Sequence, residues 1–203
     1  MSDDPQTGRR ITLAITGASG SIFAVELLRL LAADVRVAHV DLVVSEAALR
    51  VLAEEMQLSG RTGLAEKLVP GNTLKIKQHT DENIGANIAS GSYQSDGMIV
   101  LPCSMGTLAG IAHGLASSLV QRAADVTLKE RRPLILCVRE TPLNLIHLRN
   151  MTAAAEAGAT IFPVMPTLYN HPQTVDEIVR NFVHRVLAHI GLRQAGAYEW
   201  TGE

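Results

Sequence analysis

Three stretches of the chain place small and hydroxyl-bearing residues where an apolar run gives way to a helical pattern, an arrangement suited to holding an anion. In the first, Thr16-Gly17-Ala18-Ser19-Gly20-Ser21, the glycines permit close backbone approach and the helix that follows offers unpaired amides. This is neither a complete Gly-x-Gly-x-x-Gly fingerprint nor a Walker sequence, since no lysine follows Gly20. A purely structural tight turn is the competing reading. Ser45 follows the second run in the same position, where its hydroxyl either caps the next helix or reaches a ligand; taken alone, capping is the simpler role. The third is Pro102-Cys103-Ser104-Met105-Gly106-Thr107-Leu108, and three such turns at one sheet edge point to a site more strongly than any one does. Arg139-Glu140 ends another run at that edge, a charge pair placed where ligands bind. The basic end of Arg122–Pro133 reads by itself as a solvated helix face with a favourable C-terminal charge. Cys103 has no nearby histidine to activate it and reads as a buried structural thiol. The seven histidines show no paired metal-ligand spacing, so no metal site is expected, and His147, His171 and His184 read as structural or surface residues.

The elements that must position these residues alternate short Val/Ile-rich runs with segments of helical period, the pattern of a parallel sheet covered on both faces. Strands are expected near Ile11–Thr16, Val40–Val44, Leu74–Gln78, Met98–Leu101, Leu134–Val138 and Thr160–Pro163. Helices are expected over Ile22–Leu31, Glu46–Met56, Thr107–His113, Leu119–Lys129, Ile146–Glu156 and Val175–Ile190, the last capped by Thr174. Right-handed crossovers then give one α/β domain, a three-layer, doubly wound, Rossmann-like parallel sheet spanning 11–192 between tails at 1–10 and 193–203. Residues 58–95 are the least regular and read as loops within the domain.

Composition narrows the function classes. A chain of 203 residues that is 47% hydrophobic supports one well-buried core. With 18 Lys and Arg against 20 Asp and Glu, the net charge of −2 gives no global field for nucleic acid or an acidic membrane, so an anion site must be local. Aromatic residues at 3% leave few platforms for stacking nucleobases. The polar start, the lack of an apolar run long enough for a membrane span, and only two cysteines lead to the expectation of a cytoplasmic protein.

Assembled in order, these motifs resemble those of flavin prenyltransferases of the UbiX type from about Ile11 to Leu192. The carriers are Thr16–Gly20, Pro102-Cys103-Ser104 with Thr107-Leu108, Arg122–Val126 with Leu128–Leu134, Arg139-Glu140-Thr141-Pro142, and Tyr169-Asn170-His171-Pro172-Gln173. The resemblance implies FMN binding by Gly17, Ala18, Ser19, Ser45, Ser104, Met105, Gly106, Thr107, Arg122 and Arg139. It implies that Lys129, Arg139, Tyr169 and Arg185 hold dimethylallyl phosphate, with Trp200 a tail residue over the centre. Ser19, Glu55 and Glu140 take the catalytic roles: Glu140 moves protons, Ser19 assists at flavin N5, and Glu55 relays protons to phosphate. The implied reaction joins the dimethylallyl group to N5 and C6 of reduced FMN, so FMN is consumed as substrate and prenylated FMN passes to UbiD-type decarboxylases, often in ubiquinone synthesis or aromatic-acid metabolism. Symmetric oligomers, commonly dodecamers with sites shared between subunits so that residues such as Tyr169 and Arg185 reach a neighbour's flavin, belong to the same expectation. Ser117-Ser118 stands where relatives often carry Asn, Asp or Gly.

Two alternatives compete. An FMN-dependent cysteine decarboxylase of the phosphopantothenoylcysteine type would share the fold but carry a Met-Asn substrate segment that this chain lacks. A non-catalytic flavin carrier would bind FMN without turnover.

Overall fold

The computed structural model describes residues 8–200 and 202. Six strands run parallel in one sheet: β1 (Arg9–Ile15), β2 (Val37–Val44), β3 (Ile76–Thr80), β4 (Gly97–Cys103), β5 (Leu134–Val138) and β6 (Thr160–Ile161). Their order is β3-β2-β1-β4-β5-β6. The chain first winds from β1 toward β3, then returns past β1 and winds the other way. This reversal opens a crevice beyond the carboxyl ends of β1 and β4, where open α/β sheets bind their ligands.

The helices are α1 (Ser21–Ala33), α2 (Glu46–Met56), α3 (Leu64–Leu68), α4 (Met105–Ala112), α5 (Leu119–Lys129), α6 (Leu145–Glu156) and α7 (Val175–His189). Strands buried on both faces require two cores, and both are present. On one face Leu13, Leu42 and Ile99 meet Leu28 of α1 and Phe182 and Val186 of α7. On the other, Ala14, Val43 and Val100 meet Leu108 of α4, Ala124 of α5 and Ala154 of α6. Apolar spacing alone accounts for α2 and α5, whose ends fall where the sequence places them.

Several boundaries differ from expectation for local reasons. β1 begins at Arg9, because its polar first residues still pair through their backbones with Val37 and His39. Of the N-terminal tail expected over 1–10, residues 1–7 lie outside the described residues, as do 201 and 203 of the tail expected over 193–203. β3 starts at Ile76 rather than Leu74, which is fully exposed. Ser104 and Asn144 cap α4 and α6, so both helices start earlier than their apolar patterns do. The irregular 58–95 stretch contains the five-residue α3 and a 3₁₀ turn at Asn87–Ala89, both too short to show a period. Among the described residues no helix is long and apolar enough to cross a membrane.

Candidate active site

The crevice is built first from backbone. Gly17 approaches α2 so closely that a Cβ there would collide with the Ala47 methyl. Gly20 has φ +117° just before α1, a conformation that disfavours a side chain. No side chain of its own turn caps α1; Glu55, from the last turn of α2, does so instead. Gly20 N donates to Glu55 Oε1 and Oε2 at 3.0 and 3.1 Å, and Ser21 N to Oε2 at 2.7 Å. Burial alone would raise the Glu55 carboxyl, but hydrogen bonds from the Ser19 and Ser21 side chains and from the Ser21 and Gly20 amides outweigh it and hold the group below its usual range. Two of the turn's amides therefore already serve a carboxylate of the protein, and Ser19 and Glu55 meet in one network.

The second wall of the crevice is the turn after β4. Ser104 Oγ accepts from Thr107 N at 3.3 Å and bonds the Thr107 hydroxyl at 3.0 Å, capping α4, while Ser45 Oγ accepts from Ala48 N at 3.2 Å to cap α2. Both hydroxyls thus hold helix starts at the site. Open space lies where Gly106 would carry a Cβ. The two walls are joined by a residue to which the sequence reading gave no role of its own. Thr16, buried at the end of β1, donates its hydroxyl to Pro102 O at 2.7 Å and accepts from Ser104 N at 2.9 Å, and its amide donates to Pro102 O at 3.2 Å. Its partners lie 86 and 88 residues away, so no local pattern marks it.

Beyond the end of β5, Arg139 and Glu140 are exposed and line a hollow of about 560 Å³ together with Val138, Leu143, Met151 and Met165. Glu140 Oε1 accepts from Thr141 N at 3.0 Å. Met165 also borders a second hollow, about 650 Å³, that contains Leu168, Tyr169 and Trp200. The Tyr169 and Trp200 rings meet edge to face, centroids 6.0 Å apart. Trp200 in turn borders a third, about 310 Å³, with Arg185 of α7, whose guanidinium lies over the Phe162 ring at 5.8 Å. Met165 and Trp200 thereby link the three hollows into one strip. Among the described residues no carboxylate lies within ion-pair distance of Arg139 or Arg185.

Arg122 and Lys129 are placed differently. They stand two turns apart on α5, Arg122 paired with Asp125 at 2.7 Å and bonded to Ala89 O at 3.1 Å, Lys129 paired with Glu130. The start of α5 is tied to Asp81 just past β3, whereas its end leads into the beginning of β5. Lys129 therefore sits toward the opposite edge of the sheet from the crevice of its own chain. Cys103 and Cys137 are sealed in the core, and burial pushes the Cys103 thiol up to about 12, which leaves it without nucleophilic character. Among the described residues no group of three or more His, Cys, Asp or Glu side chains is placed to hold a metal ion.

Comparison with known proteins adds the chemistry. The Flavoprotein family model matches residues 2–187. The flavin prenyltransferase UbiX of Salmonella typhimurium is 49% identical over 179 residues, covering 88% of this chain and 90% of that relative. The crystal structure of AnUbiX (PadA1) in complex with FMN and dimethylallyl pyrophosphate superposes with a TM-score of 0.87 at 37% identity, covering 97% of this chain and all of that one. A dodecameric FMN-dependent UbiX-like decarboxylase from Escherichia coli O157:H7 gives 0.86 at 43% identity, covering 95% and 100%. With identity of this order sustained over nearly the whole length of both chains, the protein belongs to the UbiX family of flavin prenyltransferases.

Proposed function

We propose that this chain joins the dimethylallyl group of dimethylallyl phosphate to N5 and C6 of reduced FMN, releasing phosphate and prenylated FMN. The observation that carries the reading is the strip beside the crevice, where Arg139 and Arg185, neither within ion-pair distance of a carboxylate among the described residues, alternate with apolar Met165, Leu168 and Trp200. Cations that accept an anionic head beside apolar surface that accepts a short hydrocarbon tail describe an allylic phosphate. Breaking its carbon–oxygen bond puts charge on the departing phosphate, which cationic and hydroxyl donors stabilise.

The residues divide the work. Gly17, Ala18, Ser19, Ser45 and Ser104 to Thr107 shape the crevice for FMN, with Arg122 and Arg139 as its charged contacts. Arg139, Tyr169, Arg185 and Lys129 hold the phosphate, and Trp200 excludes water from above. Glu140, exposed in its hollow, accepts protons as the bonds to N5 and C6 form, with Ser19 assisting at N5. Glu55 relays protons to the phosphate and, bound as it is by the amides of Gly20 and Ser21, also fixes the turn that carries Ser19. Because Lys129 lies toward the far edge of its own sheet, a second copy supplies it to a shared site in a symmetric oligomer such as a dodecamer. The product suits a UbiD-type decarboxylase, and the reaction belongs in the cytoplasm, where reduced flavin persists.

The test is anaerobic incubation of the protein with reduced FMN and dimethylallyl phosphate. Free phosphate and a new flavin absorption spectrum are expected. Inertness toward this pair overturns the reading, and binding without phosphate release would leave a flavin carrier.

A further inference from the structure

His184 is the buried titratable group that this scheme leaves idle. It sits on α7 with 8% of its surface exposed and lines the hollow of about 310 Å³ whose wall also includes Asn181, Arg185 and Trp200. Its Nδ1 is buried with no hydrogen-bond partner among the described residues. Nε2 is neither sealed nor hydrogen-bonded among the described residues, so it is the accessible nitrogen of a side chain that lines the hollow. Adding a proton at Nδ1 would bury an unpartnered N–H, which favours the neutral ring with its proton on Nε2. Burial, then the charge of Arg180, weigh against the protonated form as well; Arg29 of α1 adds to this and Glu26 opposes it. The outcome is an uncharged N–H donor in a hollow that Arg185 also lines.

We infer that His184 is a further phosphate-binding residue of the allyl-phosphate site, donating from Nε2 to a phosphate oxygen that Arg185 also holds. The inference rests on the reading that Arg185 binds this phosphate. A neutral donor suits the position: it adds a hydrogen bond without a second full charge, so phosphate binds firmly and still leaves after the allylic bond breaks.

Three variants of the full-length protein, assayed with reduced FMN and varied dimethylallyl phosphate, test this. His184→Phe keeps a planar ring without a donor and is expected to raise KM for the phosphate roughly three- to tenfold, with FMN affinity and kcat unchanged. His184→Gln, whose amide reaches the Nε2 position, is expected to restore KM to near the parent value, a rescue that a packing role alone would not give. Arg185→Ala is the reference and is expected to raise KM more. An unchanged KM in His184→Phe beside a raised KM in Arg185→Ala overturns the inference alone. Equal losses in His184→Phe and His184→Gln reduce His184 to packing and also overturn it. An unchanged KM in Arg185→Ala removes the phosphate from this hollow, and the inference falls with the assignment it rests on.

Discussion

Individual side chains at the site do two kinds of work, chemistry and construction, and substitution separates them. Glu140→Gln preserves the contact that Thr141 N makes to Oε1 while abolishing the carboxylate. Flavin binding should survive, and phosphate release should slow by roughly 10²–10⁴-fold, the usual value of a general acid–base group; unchanged turnover would remove Glu140 from proton transfer. Thr16 is a construction residue. Thr16→Val deletes the hydroxyl that bridges the two crevice walls and strands the half-buried Ser104 amide, at a cost of about 1–3 kcal/mol. FMN titration by fluorescence quenching should show weakened binding in Thr16→Val and near-parental binding in Thr16→Ser, which keeps both bonds. Gly17, Ser104 and Arg139 were legible because their residue types and strand-end positions announce them. Thr16 was not, since its role exists only once β1 and β4 lie side by side, and His184 was read as structural because a lone histidine in a helix carries no spacing signal.

Among the elements, β2 carries a charge that its Val-rich neighbours do not lead one to expect. Asp41 is buried on it, receiving the Tyr93 hydroxyl at 2.8 Å and contacting His79 Nε2 at 2.7 Å and His39 Nε2 at 3.4 Å. Burial alone would raise its carboxyl, but the hydrogen bonds from His79 and Tyr93 and the charge of the two imidazoles hold it below the usual carboxylate range. A folded-state value below the unfolded one gives stability that is full above the unfolded-state value of about 3.9 and is lost as pH falls through the lower folded value. Asp41→Asn should therefore lower unfolding free energy by about 1–3 kcal/mol at pH 7, and denaturant curves of variant and parent should converge as the pH drops below about 4. All six strands and the longer helices were legible from period because burial on two faces enforces it. The short helix α3 and the 3₁₀ turn were not, since five and three residues show no period. The Asp41 network escaped notice for a related reason: its four members come from β2, β3 and the loop before β4.

At the scale of the whole molecule, one chain presents a crevice at one edge of its sheet and Lys129 toward the other, so the proposed role of Lys129 at the phosphate requires a second copy of the chain. Mixing Lys129→Ala chains with Ser19→Ala chains should restore activity that neither has alone, reaching roughly a quarter of the parent value if subunits exchange at random and each site draws the two residues from different copies. No recovery after demonstrated exchange would place both residues in one subunit. The net charge of −2 requires any anion site to be local, and among the described residues Arg139 and Arg185 have no carboxylate within ion-pair distance. The two thiols carry a further consequence. Cys103 and Cys137 are the chain's only cysteines, both fully buried, with burial raising each thiol well above its ordinary value. The folded protein is thus a blank background for thiol-reactive dyes: one cysteine at fully exposed Val35 would take a single fluorophore, and energy transfer between labelled copies would report assembly while the catalytic strip stays unmodified.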